Sequence, residues 1–128
     1  MAEKTNKIFI SFALKDRGAH DQLLEQLKEQ TKFSFEEMPV KQSWEPSWKD
    51  ECRDTVKGCD GVIGLITKNY VRADGQQWEL RCAYDARMPV LLIHGDSDRL
   101  PSKLPEPVGD REIDAWNWPA ISSFLDRL

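Results

Sequence analysis

One carboxylate in this sequence stands where a carboxylate can do chemistry. The segment Gln76-Gln77-Trp78-Glu79-Leu80-Arg81-Cys82-Ala83 follows Asp74-Gly75, and Asp74 is a good N-cap for a helix. Glu79 then lies about 6 Å into that helix, near the carboxyl edge of the sheet it packs on. That edge is where open parallel sheets bind ligands. The helix N-terminus favours the negative charge, while Trp78 holds the same turn against apolar packing. Two readings are open: an ordinary first-turn glutamate, or a carboxylate held beside a ligand. Other candidates are weaker. His94-Gly95-Asp96-Ser97-Asp98 sets a histidine and two aspartates after a strand, but a Gly/Asp/Ser turn accounts for it, and no nucleophile elbow accompanies it. Cys82 falls on an apolar stripe, which suits a buried structural thiol better than a nucleophile. Cys52, Cys59 and Cys82 form an odd set without a close pair, and His20 and His94 are the only histidines. Free thiols and no metal site are therefore expected.

The elements that must position these residues are read from periodicity. Apolar, branched or aromatic runs at Ile8 to Phe12, Phe33 to Phe35, Val62 to Ile66, Val90 to Ile93 and, weakly, Ile113 to Trp116 predict five strands. Leu23, Leu24 and Leu27 mark a helix over 19–28. A second helix is predicted from Ser47, paired with Asp50 as a capping-box-like start, to Lys57, with Trp48, Cys52, Val56 and Cys59 on one face and Gly58 at the end. The third follows Asp74 with Trp78, Cys82 and Ala86 on its stripe, and Pro89 stops it. The last has Pro119 in its first turn and Ile121, Phe124, Leu125 and Leu128 at helical spacing. Strands alternating with helices imply right-handed crossovers around a parallel sheet, an α/β fold. The stretch 95–111, with Pro101, Pro105 and Pro107, predicts a loop where a regular alternation has a helix.

Composition narrows the function classes. At 128 residues the expectation is a single domain over 1–128. The apolar runs are far shorter than the ~20 residues a membrane helix needs, and the polar start Met1 to Lys7 lacks a secretory signal, so a cytoplasmic location is expected. With 18 Lys+Arg against 22 Asp+Glu and a formal charge of −4, nucleic acid is not an expected partner. The loop after the first strand, Ser11-Phe12-Ala13-Leu14-Lys15-Asp16-Arg17-Gly18, has neither the dinucleotide glycine fingerprint nor a P-loop. A phosphoacceptor receiver is excluded as well, because the third strand ends in Thr67-Lys68 rather than an aspartate.

In order and spacing, three segments resemble the Toll/interleukin-1 receptor (TIR) domains. Lys7-Ile8-Phe9-Ile10-Ser11-Phe12 is similar to the family's opening strand and Cys59-Asp60-Gly61-Val62-Ile63-Gly64-Leu65-Ile66-Thr67 to its third. Trp78-Glu79-Leu80, with Ala83 and Met88-Pro89-Val90-Leu91-Leu92-Ile93, resembles the helix that carries the family's catalytic glutamate and the strand after it. Within the family the chain looks most like the short bacterial TIR-like proteins of Thoeris-type antiphage systems. Two departures are the helix-poor 95–111 stretch and the opening loop, where Ala13-Leu14-Lys15-Asp16 replaces an acidic pair common in receptor-type members.

The resemblance implies a flavodoxin-like three-layer fold with a five-stranded parallel sheet, and cleavage of the nicotinamide–ribose bond of NAD, a substrate rather than a cofactor. Glu79 would be the catalytic carboxylate, and the product an ADP-ribose-type nucleotide, linear or cyclic. Glu36 to Trp48 matches the family's BB loop in position. On this reading Ser43, Trp44 and Trp48 belong to the ligand site with Phe12 and Ala13 as its floor, the indoles able to stack on a base. Trp48 also lies on the helix stripe and suits the core; Trp44, in a loop, is the better ligand candidate. Lys15 and Arg17 are candidates for the pyrophosphate, with solvated loop cations as the plainer reading. Implied partners are a second TIR domain, an effector protein that reads the nucleotide and a phage-derived trigger. Two alternatives stand beside this: a non-enzymatic module working through TIR–TIR contacts at the 36–48 loop, and a nucleoside deoxyribosyltransferase-like enzyme.

Overall fold

The computed structural model describes residues 6–30, 32–38 and 45–128. Four parallel strands, β1 (Asn6–Ser11), β2 (Phe33–Glu36), β3 (Gly61–Ile66) and β4 (Val90–His94), form one sheet in the order β2-β1-β3-β4. The helices between them are α1 (Arg17–Leu27), α2 (Pro46–Lys57) and α3 (Asp74–Asp85), and α4 (Trp118–Asp126) closes the chain. Strand alternation sorts the core into two layers. Ile8, Ile10, Phe12, Ile63, Leu65, Leu91 and Ile93 pack against α1 and α4, while Phe9, Val62, Ile66 and Leu92 pack against α2 and α3. The result is the expected flavodoxin-like α/β sandwich. The order reverses between β1 and β3, and that switch point opens a crevice at the carboxyl edge.

The fifth predicted strand shrinks to a single parallel bridge, Ile93 to Asp114. His94 N donates to Asp114 O at 3.0 Å and Asp114 N to Leu92 O at 2.8 Å. A charged residue at the sheet edge, with Asn117 already turned to cap α4, leaves no longer stretch to pair. Asn117 Oδ1 accepts from Ala120 N at 2.8 Å and Pro119 sits in the first turn, as the sequence predicts. The other two helix starts differ. Glu45 is the cap residue of α2 and Pro46 its first helical residue, so Ser47 lies inside the helix and forms no capping box. Asp74 is likewise inside α3, with Ala73 at the cap and no side-chain bond. Gly58 ends α2 as expected, and Cys59 falls beyond the helix. The 95–111 stretch is a loop, pinned by Tyr70, whose hydroxyl donates to Pro105 O at 3.0 Å and accepts from Val108 N at 3.2 Å. Burial pushes that phenol up to about 12.

The face of α3 that meets the sheet is not the stripe counted from its apolar residues. Gly75, Gln76, Glu79, Leu80, Cys82 and Ala83 are its buried residues, while Ala86 is exposed and Trp78 is half-buried against α2. Trp78 Nε1 donates to Lys49 O at 3.2 Å, and the Lys49 and Arg53 cations lie over its ring. Opposite α3 the sheet presents two small residues in register, Ser11 and Gly64. A Cβ on Gly64 would lie 2.9 Å from Leu92 and 3.3 Å from Leu80. The missing side chain is thus what lets α3 sit close, and closeness is what brings a helix glutamate onto a strand serine.

Candidate functional site

Ser11 is the last residue of β1, and alternation turns its side chain toward α3. Its hydroxyl donates to Glu79 Oε1 at 2.9 Å, with both residues wholly buried. A buried carboxylate requires such donors, because desolvation without them costs more than the fold can offset. One turn earlier Gln76 spans the crevice between β1 and β3, its Nε2 donating to Leu65 O at 2.8 Å and Ser11 O at 3.2 Å. Glu79 is thereby fixed at the switch point, by a strand on one side and by its own helix on the other.

Above it lies a cleft of about 690 Å³, walled by the turn after β1 and by residues between Lys68 and Gln76. The turn is a single 3-10 helix, Leu14–Asp16. Asp16 ties it to the β3 side: its carboxylate accepts from Thr67 Oγ1 at 2.6 Å and Asn69 Nδ2 at 2.8 Å. Gly95 presses on the same joint, since a Cβ there would come 2.8 Å from Thr67 Cγ2. Three cations, Lys15, Lys68 and Arg72, line the cleft against one carboxylate, Asp74. In a chain of net charge −4 this is a local reversal of sign, suited to an anionic ligand. Lys68 is shared with Asp98 at 3.0 Å, and the hydrogen bond to that carboxylate holds its ammonium above the usual range.

The residues singled out from sequence divide into five groups. Phe12, Ala13 and Lys15 line the cleft. Phe12 is braced from behind by His20, ring centroids 4.3 Å apart, and His20 in turn lies 3.0 Å from both Asp21 and Glu37. Arg17 is not in the cleft wall: its guanidinium lies over the Phe12 ring and 3.3 Å from Glu37. From there it braces the cleft floor from outside. Trp48 is 5% exposed and packed in the core with Phe9 and Val56, so it has no face for stacking on a ligand; the helix stripe explains it. Ser43 and Trp44 lie outside the described residues. Glu79 is the neighbour of the cleft rather than part of its surface: Ser11, which it accepts from, precedes Phe12, and Gln76 is on its own helix.

Sequence reasoning missed Ser11, Gln76, Arg72 and the Asp16 tie. A polar residue ending the first strand and a glutamine one turn before the glutamate were the available signals. His94 borders a separate shallow groove with Gln22 and Trp116, and Asp96 Oδ1 accepts from Asp98 N at 3.1 Å, the turn geometry expected. All three cysteines are buried thiols, none of them in a disulfide. A hydrogen bond with Cys52 draws the Cys82 thiol down, while burial pushes Cys59 up to about 12. Among the described residues no group of three His, Cys, Asp or Glu side chains is placed to hold a metal ion, and no helix is long and apolar enough to cross a membrane.

Comparison with known proteins agrees with this architecture. The crystal structure of the TIR domain of the Toll-related receptor TRR-2 from Hydra magnipapillata matches with a TM-score of 0.59 at 14% identity, covering 94% of this chain and 91% of that one. At that identity the likeness speaks for the fold. No curated protein matches the chain. The family profile described as TIR domain matches residues 8–128, nearly the whole sequence. The chain belongs to the TIR domain family.

Proposed function

We propose that this TIR domain cleaves the bond between nicotinamide and ribose in NAD, with Glu79 as the catalytic carboxylate. TIR domains act either as NAD-cleaving enzymes or as signalling modules. The observation that favours the enzyme is a buried carboxylate, anchored by Ser11 at the sheet's switch point, beside a cleft whose cations outnumber its anions. Nicotinamide leaves as a neutral molecule because its ring nitrogen is already cationic, so one carboxylate suffices and no general acid is needed, unlike most glycoside hydrolysis. As the C1′–N bond breaks, its electron pair leaves with the nicotinamide, and Glu79 stabilises the positive charge growing at C1′ while holding ribose hydroxyls. Lys15 and Arg72 meet the pyrophosphate. Water attack at C1′ gives ADP-ribose and a proton; attack by an adenine nitrogen or a ribose hydroxyl gives a cyclic isomer, and exclusion of water selects between them.

Glu79 has no exposed surface, so substrate reaches it only when a wall side chain yields. That makes the resting chain a closed form, to be opened by substrate or by association. TIR domains generally self-associate through TIR–TIR contacts, and on this reading such contacts complete the site. The product serves as a nucleotide signal in antiphage defence, read by an effector protein. A second reading, a non-enzymatic TIR module, draws on Leu14 and Val71, two exposed apolar residues at the cleft rim that suit a protein contact. Incubating the protein with NAD and following nicotinamide and product mass separates the two. Nicotinamide release supports the enzyme, with a cyclic product one water lighter than ADP-ribose; silence, in assembled as well as dilute protein, supports the module.

A further inference from the structure

Gln76 is satisfied on one side of its amide only. Its Nε2 donates to Leu65 O and Ser11 O. Both acceptors are main-chain carbonyls, so the amide cannot be turned over: the flipped form would set oxygen against oxygen. The direction of Oε1 is therefore fixed by the sheet. That oxygen has no hydrogen-bond partner, although the residue is 1% exposed. Among the described residues it is the one buried side-chain nitrogen or oxygen in this condition. Leaving a buried carbonyl without a donor costs free energy, and folded proteins rarely tolerate it. Here the cost falls in the wall of the cleft, on the helix that carries Glu79.

We infer that Gln76 is a specificity residue whose Oε1 accepts a hydrogen bond from a hydroxyl of the ribose on which Glu79 acts. The inference rests on the NAD-cleaving reading and adds a second contact to that sugar. Three residues of helix separate the two side chains, about 4.5 Å along the axis, which is the span of one sugar ring. A carbonyl oxygen accepts and cannot donate, so it repels a phosphate and suits a neutral hydroxyl. The phosphates go instead to the cationic rim at Lys15 and Arg72. A site with a buried acceptor discriminates sharply, because an analogue lacking the donor leaves that acceptor unpaired in the complex.

The test compares kcat/KM for NAD and for its analogues with the 2′- or the 3′-hydroxyl of the nicotinamide ribose removed, in wild type and in Gln76→Met. Wild type is expected to prefer NAD over at least one deoxy analogue by about thirtyfold or more. Gln76→Met should lower kcat/KM for NAD by about tenfold or more while changing that analogue less than about threefold, so that the preference collapses. A purely structural role for the two Nε2 bonds would lower both substrates equally, and that result overturns the inference. So does a wild type that does not discriminate, a result that needs no variant to fold. Loss of preference confined to the 3-acetylpyridine analogue, which lacks the carboxamide N–H, overturns the assignment to ribose. Absence of nicotinamide release by wild type overturns the NAD-cleaving reading and this inference with it, whereas release with unchanged preferences in Gln76→Met overturns the inference alone.

Discussion

Replacing Ser11 by alanine tests how Glu79 is held. The substitution deletes a buried hydroxyl that donates to Glu79 Oε1 over 2.9 Å and leaves the Gln76 bond to Ser11 O in place. A hydrogen bond to an ionised partner contributes about 1.5–3 kcal/mol, against about 0.5–1.5 kcal/mol for a neutral pair. For a chain of this size each kcal/mol moves the melting midpoint by about 4 °C, so Ser11→Ala should lower Tm by about 6–12 °C. In Glu79→Gln the serine still finds an oxygen, now a neutral one. Removing the hydroxyl from that background should cost about 1 kcal/mol less, and that difference is the coupling energy of a double-mutant cycle. Four proteins, urea denaturation and calorimetry at pH 7.5 supply the cycle. A Tm within about 2 °C of wild type, or equal losses in both backgrounds, would show that Ser11 does not secure the carboxylate's charge.

Other consequences follow from burial and backbone shape. Burial first, then Glu36, raises Cys59 from 9.0 to about 12, and burial raises Tyr70 from 10.0 to about 12. Groups whose folded values exceed their unfolded ones stabilise fully below the unfolded value and lose that contribution as pH climbs. Urea midpoints should therefore hold level to pH 8.5 and decline between pH 9 and 12, with a shallower decline in Cys59→Ala; an unchanged slope in that variant contradicts the assignment. Gly64→Ala places a methyl group 2.9 Å from Leu92 and 3.3 Å from Leu80, and should destabilise by about 1–3 kcal/mol through overpacking. If its urea midpoint is unchanged, α3 has more freedom than the contact implies. Arg87 follows α3 with φ at 56°, in a C-terminal cap where Met88 N reaches Ala83 O at 3.0 Å. Arg87→Gly should stabilise by about 0.5–1 kcal/mol, read as a Tm rise of a few degrees; a fall would place the strain elsewhere.

Much of the scaffold was legible because it rests on strong periodic signals. The runs 62–66 and 90–93 could be little but buried strands, and Pro119 ahead of the Ile121 to Leu128 spacing could only begin a helix. The weak run 113–116 lacked the length to outcompete its neighbours, and only Asp114 pairs. The capping expectations at Ser47 and Asp74 failed because α2 already starts at Pro46, with Glu45 at its cap, and α3 at Asp74, with Ala73 at its cap. Glu79 stood out from sequence by type and position, but its depth did not. A stripe counted on Trp78, Cys82 and Ala86 ignores polar residues, whereas the helix actually turns Gln76 and Glu79 inward, toward partners that lie 65 and 68 residues away in the chain. Such long-range satisfaction of buried polar groups carries no local pattern. Trp48 shows the converse: its core position followed from the helix period alone.

The role of Glu79 is tested most directly by the steady-state kcat of Glu79→Gln against wild type at saturating NAD, with nicotinamide followed chromatographically and folding of both proteins checked by calorimetry. A carboxylate that stabilises charge only in the transition state predicts a loss of about a hundredfold or more with a variant that still melts cooperatively. A folded Glu79→Gln that releases nicotinamide within about fivefold of wild type would contradict the central claim.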